Sequence, residues 1–160
     1  LFYAQIPFYP TALLRTDPVI LNSNTSALIA WFNPADEFAP AVTSWSRERA
    51  PEFCWNPLLR IELRHNLRRL SGKYAAIAWQ AYRASETSQR LKLGIQRLSD
   101  LLEWGDELSA RHAPNSAAGT WDFVHVAATQ HVRAEVFITC DAAQAELARV
   151  AGLTQVQLFK

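Results

Sequence analysis

Val19-Ile20-Leu21-Asn22-Ser23-Asn24-Thr25-Ser26-Ala27-Leu28-Ile29-Ala30-Trp31-Phe32 reads in three parts. The β-branched, apolar Val19-Ile20-Leu21 suits a short buried strand. Asn22 to Ser26 is a run of residue types whose short polar side chains cap helix N-termini. Apolar residues from Ala27 to Phe32 then begin a helix. Strand, tight turn and helix in fourteen residues is the opening unit of a parallel α/β fold. The late run Val136-Phe137-Ile138-Thr139 repeats that order, followed by a helix from Asp141 to Val150 that Gly152 ends.

Working outward, Asn33-Pro34 breaks the first helix, and a second is expected over about residues 36–49, capped by Asp36. Phe53-Cys54-Trp55 suits a second strand. Asn56-Pro57 opens a helix with proline in its first turn, and Leu58, Ile61, Leu63, Leu67 and Leu70 supply its apolar positions. Residues 75–112 read as helical, with breaks near Ser85–Thr87 and Gly94 and a short strand between about 91 and 97. Leu98, Leu101, Leu102 and Leu108 keep helical spacing there. His112 to Gly119 is a loop, Trp121 to Thr129 begins a helix with Asp122 in its first turn, and Val156-Gln157-Leu158 is a last edge strand. Short apolar strands alternating with helices, with almost no hairpin signals, imply a mostly parallel central sheet flanked by helices.

At 160 residues the chain has room for one domain with a substantial core. Residues 18–160 are expected to form it, and residues 1–17 stand apart as an atypical extension. The chain starts at leucine and holds no methionine, which suggests a truncated or upstream-extended reading frame, so no function is built on residues 1–17. Hydrophobic residues make up 49% and charged residues 19%, which excludes a disordered chain. No apolar run approaches the ~20 residues of a membrane span, and the proline-broken start lacks the basic residues of a signal peptide. A cytoplasmic protein with reduced thiols is expected, because Cys54 and Cys140 each stand alone, without the spacing of a zinc site. The net charge is only +1, yet Arg60, Arg64, His65, Arg68, Arg69 and Lys73 crowd one stretch. Such a cluster is either a helix's solvated face or a patch that steers a polyanion.

Parallel sheets bind ligands where their strands end and helices begin. Asn24 follows the first strand, Asp141 follows the late strand, Asp122 opens a helix, and Glu62 lies early in the helix from Pro57. Carboxylates converging from distant parts of the chain are what a hard divalent cation requires. Each aspartate alone has a plainer reading as a helix cap. No Ser-His-Asp set is evident, neither cysteine has a partner base, and phosphate-binding glycine loops are absent.

Four segments resemble the motifs of PIN domains of the VapC toxin type. Val19 through Ile29 is similar to the first, except that asparagine stands where the family has aspartate. Apolar residues four and five positions later single out Asn24, with Leu28 and Ile29, over Asn22. Asn56 through Leu70 is similar to the second, Trp121 through Ala128 to the third, and Phe137 through Asp141 with Gln144, Leu147, Ala148 and Gly152-Leu153 to the fourth. The resemblance covers about residues 19–158. It implies a PIN-like three-layer sandwich and a metal-dependent ribonuclease, the toxin of a toxin–antitoxin pair. The metal-site acids would be Glu62, Asp122 and Asp141, holding Mg²⁺ or Mn²⁺, with Asn24 in the place of a fourth. Ser26, Thr139 and His125 would support them, although His125 reads equally well as a core histidine. Arg60, Arg64 and Arg68 would contact RNA. A cognate antitoxin and a second copy of the chain would be the partners, with the apolar helices at 27–50 and 57–70 and some of the six tryptophans lining a groove for an antitoxin helix.

A neutral amide at position 24 removes one charge from a site meant to hold a divalent ion. Asp17 lies too far along the strand to replace it, and Asp36 lies beyond the first helix. Three readings stay open: a ribonuclease that tolerates Asn24, a catalytically dead PIN domain that binds antitoxin or RNA, and an engineered Asp→Asn inactivation.

Overall fold

The computed structural model describes residues 20–94 and 96–160, with side chains from Ser23 onward. The expectations for residues 1–17 and for Val19 lie outside the described residues. Among the described residues, five strands form one wholly parallel sheet: β1 (Ile20–Ser23), β2 (Glu52–Trp55), β3 (Leu91–Leu93), β4 (Val136–Thr139) and β5 (Val156–Leu158), in the order β3-β2-β1-β4-β5. Seven α-helices among the described residues connect them: α1 (Thr25–Phe32), α2 (Ala39–Arg49), α3 (Pro57–Arg69), α4 (Lys73–Thr87), α5 (Leu98–His112), α6 (Thr120–Val132) and α7 (Ala142–Val150). A 3₁₀ turn covers Ala113–Asn115.

The buried side chains divide into layers. Leu28 of α1, Val42 of α2, Leu59, Leu63 and Leu67 of α3 and Tyr82 of α4 pack with Phe53, Trp55, Val136 and Ile138 of the sheet. On the other side Leu108 of α5, Phe123, Val126 and Ala127 of α6, and Leu147 and Ala148 of α7 pack with Phe137. Strand β4 thus sends alternate residues into two cores and is buried on both faces, as a central parallel strand should be. Each fully buried large apolar side chain contributes about 1.5–3 kcal/mol. The three-layer α/β sandwich expected from the sequence is what forms.

Two boundaries differ from expectation. Helix α2 starts at Ala39, not near residue 36, because the segment before it is held in turns. Asp36 Oδ1 accepts from the Phe38 N–H at 3.0 Å, and the Ala39 N–H reaches the Asp36 carbonyl at 3.1 Å. Asp36 therefore caps a turn rather than the helix. The long helical reading of 75–112 resolves into α4, β3 and α5, so the weak strand near residue 91 is real and forms the sheet's edge beside β2. Gly152, with φ +93°, ends α7 in a conformation that side chains disfavour.

Candidate functional site

The strand order reverses between β1 and β4: the chain leaves β1 toward β2 and β3 on one side, and β4 continues to β5 on the other. A crevice at the carboxyl ends of two such strands is where open α/β sheets take ligands. Ser23 pairs with Ile138, and the Asn24 N–H donates to the Ile138 carbonyl at 3.0 Å. That register sets Asn24 and Thr139 side by side at this edge.

Around them the structure gathers the candidate acids from three helices. Glu62, half-buried on α3, accepts from the Thr25 hydroxyl at 2.9 Å through Oε2. The same oxygen meets His125 Nε2 of α6 at 2.6 Å. Facing a carboxylate, Nε2 carries a hydrogen in either charge state of the ring. His125 Nδ1 is buried with no partner among the described residues. Half-burial pushes the Glu62 carboxyl up, but the His125 ring and the Thr25 hydroxyl outweigh it and hold it below the usual carboxylate value.

Asp122 and Asp141 are joined by Gln144. Gln144 is fully buried on α7; its Nε2 donates to Asp122 Oδ1 at 2.8 Å, and its backbone N–H donates to Asp141 Oδ1 at 3.0 Å. The other Asp122 oxygen accepts from the Gly119 N–H at 2.8 Å. Burial raises the Asp122 carboxyl above its ordinary value. The Gly119 N–H and His125 oppose this, while the negative charges of Asp141 and Glu62 add to it. Asp122 therefore feels the charge of both other acids, one 60 positions before it and the other 19 after. The capping reading holds as well, since Asp141 is the N-cap of α7.

Asn24 is buried and caps α1, its side-chain oxygen turned back onto the Thr25 N–H. The supporting residues divide. Ser26 Oγ accepts from the Cys140 N–H at 3.1 Å, tying α1 to the end of β4. Thr139, fully buried, accepts from the Asp141 N–H at 3.0 Å through its hydroxyl. Thr25 and Gln144 carry site contacts that the sequence reading did not assign. Thr25 stood inside the capping run, and Gln144 three residues past Asp141 stood at the spacing of a capped N–H, so both had a local signal. Burial raises Cys54, and raises Cys140 to about 11 with the Asp36 charge adding to it, so neither thiol is primed as a nucleophile.

The arginines of α3 lie elsewhere. Arg60 pairs with Glu86 of α4 at 2.9 Å, and Arg64 and Arg68 lie over the Trp79 ring at 5.9 and 5.2 Å. At about 3.6 residues per turn, Arg60 and Arg64, each two residues from Glu62, project to nearly the opposite side of the helix. His65 and Arg69, both exposed, are the basic residues on Glu62's side of the helix.

Three carboxylates with amide and hydroxyl oxygens form the donor set that a hard divalent cation takes, and their unbalanced charge favours one. Their spacing is looser: among the described residues no three His, Cys, Asp or Glu side chains stand close enough to hold a metal as placed. The set fits such an ion in atom type and charge; Glu62 Oε2, both Asp122 oxygens, Asp141 Oδ1 and the Asn24 amide oxygen meet protein donors.

The model of the PIN domain family matches residues 24–150, and the chain belongs to that family. Its fold is similar to that of VapC20 from Mycobacterium tuberculosis, a toxin that cleaves the sarcin-ricin loop. That pair shares 21% identity at a TM-score of 0.64, over 86% of this chain and 98% of VapC20. FitAcB from Neisseria gonorrhoeae is similar at 14% identity and a TM-score of 0.55, over 88% of this chain and 96% of the other. No curated protein sequence matches the chain.

Proposed function

We propose that the chain is a metal-dependent endoribonuclease of the VapC toxin type, with its activity weakened by Asn24. The observation that carries this reading is the gathering of Glu62, Asp122 and Asp141 at the strand-order reversal, Glu62 joined to α6 through His125 and Asp122 joined to Asp141 through Gln144. Glu62, Asp122 and Asp141 would hold Mg²⁺ or Mn²⁺, with the Asn24 amide oxygen as a neutral neighbour. Such an ion lowers the pKa of a bound water and offsets charge developing on a phosphate.

The residues themselves have separable tasks. Gln144 and the Gly119 N–H fix the Asp122 carboxylate. The Thr25 hydroxyl and His125 fix that of Glu62. Thr139 and Ser26 lock the turn after β4, so Asp141 is presented from a rigid strand end. His65 and Arg69 lie where an RNA backbone entering beside Glu62 would pass, and Arg60, Arg64 and Arg68 add positive potential on the far side of α3. The expected partners are an RNA substrate, a cognate antitoxin and a second copy of the chain, in the cytoplasm. No helix among the described residues is long and apolar enough to cross a membrane.

The second reading is a catalytically dead PIN domain that binds RNA or antitoxin. It is favoured by the Asn24 oxygen facing the Thr25 N–H and by the open spacing of the acids. RNA cleavage with Mn²⁺ by this chain, Asn24→Asp, and Asn24→Asp with Asp122→Ala separates the two. Cleavage that appears on reversion and is lost with Asp122→Ala supports the nuclease. No cleavage by any of the three on a broad RNA panel leaves the binding module.

A further inference from the structure

A cavity of about 360 Å³ is walled by the last turn of α5, residues 115–117 and α7, the helix that Asp141 caps. Arg111, His112 and Asn115 give it a polar side, and Ala143, Leu147 and Val150 an apolar one. We infer that it is a subsite for one unpaired nucleobase of the substrate strand, the base next to the phosphate at Asp122 and Asp141. The inference rests on the nuclease reading for its substrate, but not for its geometry.

Position is the first argument. Ala143 lies two residues after Asp141, and its neighbour Gln144 holds Asp122. Ala117 lies two residues before Gly119, whose N–H holds the other Asp122 oxygen. Both walls are thus continuations, two residues along the chain, of the segments that position the acids. A strand whose phosphate sits at the acids has its adjoining base within reach of the cavity.

Size and lining are the second. Small-molecule pockets span roughly 300–1,000 Å³, and this one is at the small end, which suits a single heterocycle rather than a duplex. Unpaired bases are held between aromatic or apolar side chains and hydrogen-bonded at their edges. Ala143 and Val150 offer the apolar surface, backed by the buried Leu147, and the Asn115 amide offers a donor and an acceptor together, the pairing that an adenine edge takes. The Ser116 hydroxyl accepts from the Ala118 N–H at 3.1 Å, which leaves the Asn115 amide as the group that offers both a donor and an acceptor free of a local contact. Glu146 also lines the cavity, so its carboxylate balances the charge of Arg111 there and the cavity suits a neutral base rather than a phosphate.

Two other cavities fit the role less well. One, lined by Trp55, Arg60 and Glu86, has its charged groups spent on each other. Another includes Val136 and Val156, the first residues of β4 and β5, and so opens at the sheet edge opposite the acids.

The test titrates the full chain with the four ribonucleosides, which carry no phosphate and so do not depend on the acids, and follows backbone amide signals by NMR. Saturable shifts confined to residues 111–117 and 143–150 are expected, strongest for adenosine. Ala143→Leu, which fills the cavity from a half-exposed helix position, should weaken binding by about tenfold or more. Asn115→Ala, on the exposed 3₁₀ turn, should abolish the preference among bases. Absence of saturable binding by any nucleoside, or binding that survives both substitutions in a folded protein, overturns the inference. Failure of Asn24→Asp to cleave RNA would count against the nuclease alone and leave nucleoside binding to be read separately.

Discussion

Gln144 of α7 donates from Nε2 to Asp122 Oδ1 of α6 across 2.8 Å, while its own backbone N–H is capped by Asp141. One fully buried side chain therefore fixes the relative placement of two acids that lie on different helices. Gln144→Ala removes a hydrogen bond to a charged group and leaves a hole in the second core. A loss of about 1–3 kcal/mol is expected. Urea denaturation of the two proteins should show a lower midpoint with an unchanged slope. An unchanged midpoint would mean that the amide does not restrain Asp122.

Thr25 and His125 meet the same oxygen of Glu62, at 2.9 and 2.6 Å. Contacts that share an acceptor do not contribute independently. Thr25→Val and His125→Ala should each destabilise the fold, by about 1 kcal/mol or more. The double substitution should differ from the sum by at least about 0.5 kcal/mol. Additivity in a thermal-denaturation cycle would show that the two contacts are energetically separate.

How far the sequence carried the site depends on the range of the interaction concerned. Asn24, Asp122 and Asp141 were legible because each combines a strand end or helix start with a capping residue, a pattern local in the chain. The sheet order was not legible, since nothing within β1 or β4 states which strand lies beside it. The reversal between them emerges only from the register of Ser23 with Ile138. Thr25 stood in the capping run, but its contact with Glu62 was hidden for the same reason, since the two are 37 positions apart. The arginines of α3 were read by charge alone, and their aromatic and acidic partners on α4 become visible only once the two helices pack. The late start of α2 was a local miss: Asp36 serves turns and helix caps equally well.

A change of one residue at the α5–α6 crossing should have a large effect. Gly105 is buried, and a Cβ there would lie 2.6 Å from Val124 Cγ2 and 3.1 Å from Val124 Cα. The backbones approach so closely that no methyl fits without moving a helix that carries both Asp122 and His125. Gly105→Ala is expected to cost about 1–3 kcal/mol through overpacking, despite alanine's better helix propensity. Adding Val124→Ala should recover part of the loss. A Gly105→Ala protein as stable as the parent would show that the crossing relaxes freely.

Stability should fall at both ends of the pH scale through one cluster on α3 and α4. Burial pushes the Glu86 carboxyl up, but Tyr82, Arg60 and Arg64 together hold it below its ordinary value. Burial raises the Tyr82 hydroxyl to about 12, and the neighbouring Glu86 charge adds to that. That hydroxyl is buried beside Glu86 without the full geometry of a hydrogen bond. For Glu86 the folded state binds its proton less readily, so its contribution is present above the ordinary carboxylate pKa and is lost as pH falls through the depressed value. For Tyr82 the folded state keeps its proton longer. Its contribution is complete below the ordinary value near ~10 and is lost as pH rises toward the raised one. Glu86→Gln should therefore flatten the acid side of a plot of denaturation midpoint against pH, and Tyr82→Phe the alkaline side. Each effect belongs to a pair far around α3 from Glu62, so it should persist unchanged in Asn24→Asp. A Tyr82→Phe protein that still loses stability with the parent's slope above pH ~10 would assign the alkaline loss to another group.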